Sequence, residues 1–366
     1  MAQSTYPFGS VVFRVTMAFT MVLSGVLGLG IGSVRGQDSP IVTEEFIYDE
    51  APFPQCHAST IEQTPSGLVA AWFGGTRESD PDVEIWCARM VDGRWTEPVS
   101  VADGVQSDEE RFPCWNPVLH YHGERLTLYY KVGPNPREWW GMVKVSEDDG
   151  ATWSEASRLP EGILGPIKNK PITLASGRIV SGSSTEHDGW RLHVEWSDDG
   201  GATWRRTDAL NEKGVLESIQ PTLLQQGDGR LRMLCRSHGT GRITTAFSDD
   251  DGETWSELQE LSLPNPNSGI DGVSLANGSH ALVYNHTPRG RSPLNLAISE
   301  DGETWWAGVV LVDESGAEFS YPAIIQTDDG LLHITYTWKR RRIRHVVVDP
   351  DRLESRPIEE GQWPRR

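Results

Sequence analysis

The chain has 366 residues, 52 acidic against 33 basic side chains and a formal net charge of -19. Such acidity argues against nucleic acid as a partner, because its binders carry basic patches. The length suits one large all-β domain, and no long amphipathic helix stands out. In chain order, Arg14 precedes a run from Val15 to Val34 that carries no charge but is broken by Gly25, Gly28, Gly30 and Gly32. This predicts a secretory signal peptide over residues 1–36, cleaved near Gly36, with an uncleaved membrane anchor as the alternative. The expected domain is then 37–366, secreted or periplasmic. Cys56, Cys87, Cys114 and Cys235 form no C-x-x-C pair, which argues against a structural zinc site. Whether any of them pair stays open.

One motif organises the remainder. It reads S-x-D-x-G-x-T-W at Ser146–Trp153, Ser197–Trp204 and Ser248–Trp255, one residue shorter at Ser299–Trp305, and degenerate at Met90–Trp95. Its tryptophans, Trp95, Trp153, Trp204, Trp255 and Trp305, follow one another at 58, 51, 51 and 50 residues by subtraction. A fixed period of that size signals a stacked or radial repeat. Each copy reads as a turn: Asp and Gly supply local hydrogen bonds and a positive φ, and Trp plugs the gap between neighbouring sheets. Near-identical catalytic sites in every copy would be implausible, so these aspartates are expected to be structural.

A second series supports the first. Glycine precedes a strand at Gly67, Gly123, Gly177, Gly229, Gly278 and Gly330, at spacings of 56, 54, 52, 49 and 52. Six such units of about 50 residues, each large enough for four strands, predict a six-bladed β-propeller. The strand after each glycine is expected to be the inner one. The sixth unit lacks the tryptophan motif, so its last strand is expected from Glu44–Tyr48, closing the ring and removing exposed edges.

Repeated at this spacing, S-x-D-x-G-x-T-W resembles the Asp-box, or BNR repeat, of the sialidase superfamily. The resemblance covers about residues 42–350. It implies a clamp of arginines on a substrate carboxylate, a tyrosine nucleophile with a glutamate partner, and an aspartate acid/base. Arg236 and Arg291 resemble two of the arginines, with Arg289 competing for the latter place. Tyr321 in Phe319-Ser320-Tyr321-Pro322 resembles the tyrosine, and Asp80 or Asp82 in Arg77-Glu78-Ser79-Asp80-Pro81-Asp82 the aspartate. Two positions depart. Gln55-Cys56-His57-Ala58-Ser59 stands where the first arginine is expected, and Ser218-Ile219-Gln220-Pro221 where the glutamate is expected. A histidine there, followed by Ala71-Trp72-Phe73-Gly74-Gly75-Thr76-Arg77-Glu78, is similar to propeller enzymes acting on uronate-linked sugars, including lyases. That similarity implies His57 as acid/base and Arg77 as a carboxylate ligand.

Other polar clusters are Gly165–Pro171, which contributes Lys170, and the strand end carrying Glu186; both residues are expected to line the site. Lys339–Arg342 reads as a solvated rim, and His120, His187 and His193 as structural or surface residues. Trp139-Trp140 reads equally as a sugar platform or as inter-blade packing. No metal-ligand spacing or phosphate loop is present, and no cofactor is implied. The expected activity is removal of a terminal sialic acid or uronate-linked sugar from an acidic oligosaccharide or polysaccharide, by hydrolysis or β-elimination, in a monomer. An exo-α-sialidase proper and a non-catalytic glycan-binding propeller are the alternatives.

Overall fold

A computed structural model of the protein describes residues 39–365. The expected signal segment and its cleavage site lie outside the described residues. Among the described residues, no helix is long and apolar enough to cross a membrane.

Six antiparallel sheets make six blades. Blade one runs Gln55–Thr64, Gly67–Gly75, Glu84–Val91 and Val99–Ala102, with the short Arg94–Trp95 hairpin beside it. Blade two is Cys114–His122, Arg125–Val132, Trp140–Ser146 and Ser157–Arg158. Blade three is Ile172–Thr173, Ile179–Thr185, Arg191–Ser197 and Arg205–Arg206. Blade four is Ser218–Gln225, Leu231–Ser237, Arg242–Ser248 and Gln259–Pro264. Blade five is Asp271–Ser274, His280–Tyr284, Leu294–Ser299 and Trp306–Val312, extended by Arg356–Pro357. Blade six is Phe319–Gln326, Leu332–Trp338 and Arg342–Val348, completed by the N-terminal strand Ile41–Phe46. That strand pairs antiparallel with Arg342–Val348, Glu44 opposite Val346. The expected closure is therefore present, with Ile41–Phe46 as the outermost strand of blade six.

The second strands are covered on both faces by neighbouring blades, so burial along them is nearly continuous instead of alternating. Leu231–Ser237 is buried at every position. The core consequently lies between blades: one cluster joins Val69, Phe73 and Ile85 of blade one to Leu119, Leu126 and Tyr130 of blade two. Another joins Leu296 and Leu294 of blade five to Ile324, Leu332 and Val346 of blade six. All four cysteines are free and buried.

The glycine series marks the blades but not the inner strands, which corrects the expected phase. Gly67 and Gly330 lie at the hairpins between first and second strands, and the first strand of each sheet is the one that packs on its counterparts near the axis. The inner strand thus precedes the glycine.

The tryptophan motifs behave as structural turns. In Ser248–Trp255, Asp250 accepts from Ser248 Oγ at 2.8 Å, Thr254 N at 2.9 Å and Thr254 Oγ1 at 2.6 Å. Gly252 has φ 86°, a left-handed conformation suited to glycine. Trp255 packs between blades three and four and donates its Nε1–H to Gly252 O at 3.0 Å. The same bonds recur around Asp148 and Asp199, whose carboxyls they hold at about 2, chiefly through the hydroxyls of Thr152 and Thr203. Each motif also clasps the preceding blade. Ser66 Oγ donates to Asp149 at 2.7 Å, Arg125 to Gly200 O at 2.9 Å, and Gln226 to Asp301 O at 2.7 Å.

Candidate active site

Strand register puts one set of side chains on the face opposite these turns. Ile219 pairs with Arg236, Ser320 with Thr337 and His57 with Phe73, so inner-strand starts and second-strand ends share a face. The motif turn begins at Ser248, opposite Leu231, at the other end of the same strands. Four inner strands are bulged near their starts, with left-handed φ at Ala58 (57°), Asn116 (35°), Gln220 (57°) and Tyr321 (52°). A bulge re-aims the side chain that follows it, and left-handed backbone at a non-glycine residue is costly and concentrates at functional sites. Here the bulges bring Gln220 and Tyr321 of two different blades into contact.

Tyr321 is the centre. Its hydroxyl oxygen accepts from Arg236 Nη1 at 2.5 Å and from Gln220 Nε2 at 3.2 Å. The guanidinium carbons of Arg236 and Arg291 each lie 5.7 Å from its ring, and Lys168 Nζ lies 6.0 Å from it. The His57 ring is 4.1 Å away, centroid to centroid. Gly269 lies flat against the tyrosine, where an added Cβ would come within 3.2 Å of the ring. His57, Tyr321, Arg236 and Arg291 therefore converge from blades one, six, four and five, whereas Arg77, expected with them, does not.

Each group is anchored. Arg236 donates Nε to Asn267 Oδ1 at 2.7 Å and Nη1 to Gln220 Oε1 at 3.3 Å. Arg291 donates Nη1 to Glu318 Oε1 at 2.7 Å, and Arg340 donates Nε to the same oxygen at 2.8 Å. Burial alone would raise Glu318, but the guanidiniums of Arg340 and Arg291 outweigh it and hold the carboxyl below its ordinary range. His57 Nδ1 is 3.0 Å from Thr337 Oγ1. Burial, then the positive charges of Arg340, Arg291, Arg236 and Lys168, push the His57 imidazole well below its ordinary value. It is a neutral imidazole in a cationic pocket.

The remaining candidates fall differently. Lys170 is held by Asp271 Oδ2 at 3.0 Å and Gly272 O at 2.9 Å, in a buried network with Thr222 and the Ile324 N–H. The loop lysine facing the cluster is Lys168 instead. It donates to Ile270 O at 3.0 Å and to Pro322 O, and burial brings it down to about 7. Glu186 borders the cluster: burial raises its carboxyl, against the pull of Arg236 and a hydrogen bond from Trp190, whose ring lies 5.1 Å from the Arg236 guanidinium. Arg77 is 71% exposed and pairs with Asp80 at 3.0 Å, so it points to solvent and not into the cluster. Asp82 is exposed and caps its own loop, accepting from Thr76 N at 3.0 Å and Thr76 Oγ1 at 2.7 Å. Arg289 is exposed, which leaves Arg291 as the arginine at the site. Trp139 is buried against Trp115, and Trp140 is packed by Phe112 and Arg158, so the aromatic pair serves packing.

His193 is buried beside Glu195 at 2.9 Å, and His120 is buried against Thr173 at 3.1 Å. Both are structural, as expected. Sequence reasoning missed Arg340, Glu318, Asn267 and Lys168. Among the described residues no cluster of His, Cys, Asp or Glu could hold a metal ion. A wider cleft at the edge of blade five, lined by Val309, Arg352 and Trp363, contains none of these residues.

This ring, with its cationic pocket on one face and Asp-box turns on the other, is the architecture of a sialidase-like propeller. Residues 66–334 match the BNR repeat-like domain family, and the chain belongs to it. It is 27% identical over 238 residues to an anhydrosialidase from Macrobdella decora, across 55% of this chain and 30% of that protein. It is 23% identical over 255 residues to a sialidase from Bacteroides fragilis, across 60% of this chain and 45% of that one. The chain thus spans less than half the length of these relatives. Among solved structures, a Hadza microbial sialidase superposes with a TM-score of 0.74 at 15% identity, over 85% of this chain and 69% of that one. An intramolecular trans-sialidase from Ruminococcus gnavus gives 0.68 at 14%, over 85% and 98%. A protein of unknown function from Dyadobacter fermentans gives 0.68 at 17%, over 86% and 98%. At these identities the superpositions speak for the fold alone.

Proposed function

We propose that this chain is an exported glycosidase that removes a terminal carboxylate-bearing sugar, a sialic acid or a uronate, from an acidic glycan. The observation that carries the reading is the placement of Arg236 and Arg291 around Tyr321, on a chain whose net charge is -19. A local concentration of guanidinium groups on an acidic protein focuses an anionic ligand there, and planar guanidiniums suit a carboxylate. The uncharged run at 15–34 supports export.

In this mechanism Arg236 and Arg291 orient the sugar carboxylate, and Tyr321 attacks or stabilises the anomeric carbon. Glu186, raised by burial, is suited to protonate the departing oxygen, whereas Asp80 is held in an ion pair with Arg77 at the surface. His57 stays neutral beside the Tyr321 ring, where burial and the surrounding cations make it a poor proton acceptor. Resemblance to the sialidase-named relatives favours hydrolysis over elimination.

A second reading, glycan binding without turnover, is favoured by one observation: the side chain beside the Tyr321 hydroxyl is the amide of Gln220, which is no base at neutral pH. The test is release of fluorophore from α-sialosides and β-glucuronides, with ultraviolet absorbance monitored for an unsaturated product. Turnover on an acidic sugar, with KM raised about 10–100-fold by Arg236→Ala, is expected for the loss of one charge-assisted pair. Binding without product supports the second reading, and neither binding nor turnover refutes both.

A further inference from the structure

We propose that the segment Lys168-Asn169-Lys170 is the positioning element of the site, and that Lys168 is the positioning residue that holds Tyr321 in place. The inference rests on the proposed function and gives a role to a buried lysine that its mechanism leaves unused.

The backbone of the site needs such an element. Gln220 and Tyr321 have left-handed φ values of 57° and 52°, and both lie at bulges of inner strands. Neither is a glycine, so each conformation is costly and persists only where neighbours enforce it. Residues 220–221 and 321–322 have no partner in the ladder. Carbonyls at a bulge therefore need donors from elsewhere. Here the donors come from one segment. Lys168 Nζ donates to Pro322 O, directly after Tyr321, and Asn169 Nδ2 donates to Gln220 O at 2.9 Å.

Three adjacent side chains thus reach three blades. Lys168 Nζ also donates to Ile270 O at 3.0 Å, at the entry to blade five, and to Asn169 Oδ1 at 2.9 Å. An ammonium carries three N–H groups, and Lys168 has an acceptor for each. Lys170 binds Asp271 Oδ2 at 3.0 Å, and the same oxygen accepts from Ile324 N at 2.9 Å, three residues past Tyr321. Lys168 is 3% exposed and Asn169 1%, so water cannot take over their bonds. The segment is itself fixed from behind by blades two and three. Glu195 accepts from Leu164 N at 2.9 Å and Gly165 N at 2.6 Å, Ser183 Oγ donates to Gly165 O at 3.0 Å, and Lys131 Nζ donates to Pro166 O at 2.8 Å. Arg236 and Arg291 have separate anchors in Asn267 and Glu318. Loss of Lys168 should therefore loosen Tyr321 and leave the arginines in place.

The competing account makes Lys168 a pin for the whole ring. Such a pin lowers the melting temperature but leaves kcat per folded molecule unchanged.

The test is Lys168→Met, which keeps the length of the side chain and removes its donors. Initial rates on the best acidic fluorogenic substrate and a crystal structure of the variant provide the readouts. A shift of about 1 Å in a reacting group costs about 10²-fold, so kcat should fall by about that factor while KM stays within about threefold. The Tyr321 hydroxyl should move away from Arg236 Nη1. Asp250→Ala, on the opposite face, is the control for lowered stability and should keep its kcat. An unchanged kcat, or Tyr321 still in its present contact with Arg236 and Gln220, overturns the inference. So does a KM that rises as much as kcat falls, because the whole pocket then depends on Lys168. Should Lys168→Met not fold, Asn169→Ala carries the test. It releases Gln220 O, and kcat should fall about tenfold for one lost hydrogen bond; an unchanged kcat overturns the inference. If the wild-type chain turns over no acidic substrate, the proposed function falls, and the crystal structure decides the hold on Tyr321 by itself: a displaced hydroxyl supports it and an unmoved one overturns it.

Discussion

Gln220→Glu is the most informative single substitution. Gln220 is 2% exposed, donates Nε2 to the Tyr321 hydroxyl at 3.2 Å and accepts Arg236 Nη1 on Oε1 at 3.3 Å. The change replaces one NH2 by an oxygen in a side chain of the same shape. The donor to Tyr321 becomes an acceptor, so the phenol can pass its proton to a carboxylate. The added charge is not stranded, because Arg236 already touches this side chain. A positioned base typically contributes about 10²–10⁴ in rate. Arg236 continues to donate to the same phenol oxygen at 2.5 Å, so the lower end, about 10²-fold in kcat, is expected. The new carboxylate also competes with substrate for Arg236, which should raise KM by about tenfold or less. Initial rates on the best acidic fluorogenic substrate between pH 5 and 8, with melting curves to verify the fold, provide the measurement. A folded variant whose kcat is unchanged or reduced would show that this neighbour does not activate Tyr321.

Three further outcomes are expected. Asp250→Ala removes the acceptor for Ser248 and Thr254 on the face away from the site, and should cost about 1–2 kcal/mol in denaturant unfolding without altering ligand binding; lost binding with unchanged stability would move the motif into the site. Deleting residues 39–50 removes the closing strand with buried Ile41, Ile47 and Tyr48, and should lower the melting temperature and promote self-association through the bared edge of Arg342–Val348. An unchanged melting temperature contradicts the closure argument. Burial depresses His333 and His286 to about 4 and His120 to about 3, so the unfolded chain binds protons first as pH falls below 6.5. Stability is then fully present above about pH 6.5 and declines towards pH 4; melting temperatures that stay level from pH 7 to 4.5 would contradict this.

The blade count was legible because all six repeats spend a Gly, and the first five also a Trp, on fixed turns. The phase was not. In blades three and five the inner strand is only Ile172–Thr173 and Asp271–Ser274, and in blades one, two, four and six it is broken by a bulge, so no long alternation marks it. His57, Arg236, Arg291 and Tyr321 could be found because each stands in a short segment of recognisable pattern. Arg340 could not: within Lys339–Arg342 it looks like any solvated basic run. What distinguishes it are Glu318 and Glu78, 22 and 262 residues away, and a left-handed backbone. Lys168 and Lys170 are two residues apart in one loop, and only coordinates show which faces Tyr321 and which is held by Asp271. Arg77 failed for a local reason. Asp80, three residues on, pairs with it at the surface.

The closing strand also has a temporal meaning. Ile41 pairs with Val348, a separation of 348 minus 41, or 307 residues. Joining ends that far apart costs about 3 kcal/mol more in chain entropy than closing a ten-residue loop. During synthesis at about 5–20 residues per second, the strand Ile41–Phe46 waits roughly 15–60 s before its partner exists. Throughout that interval the strand, which carries Glu44 and Glu45 between Ile41 and Phe46, is without its partner. A pairing of such long sequence separation is expected to form late in folding.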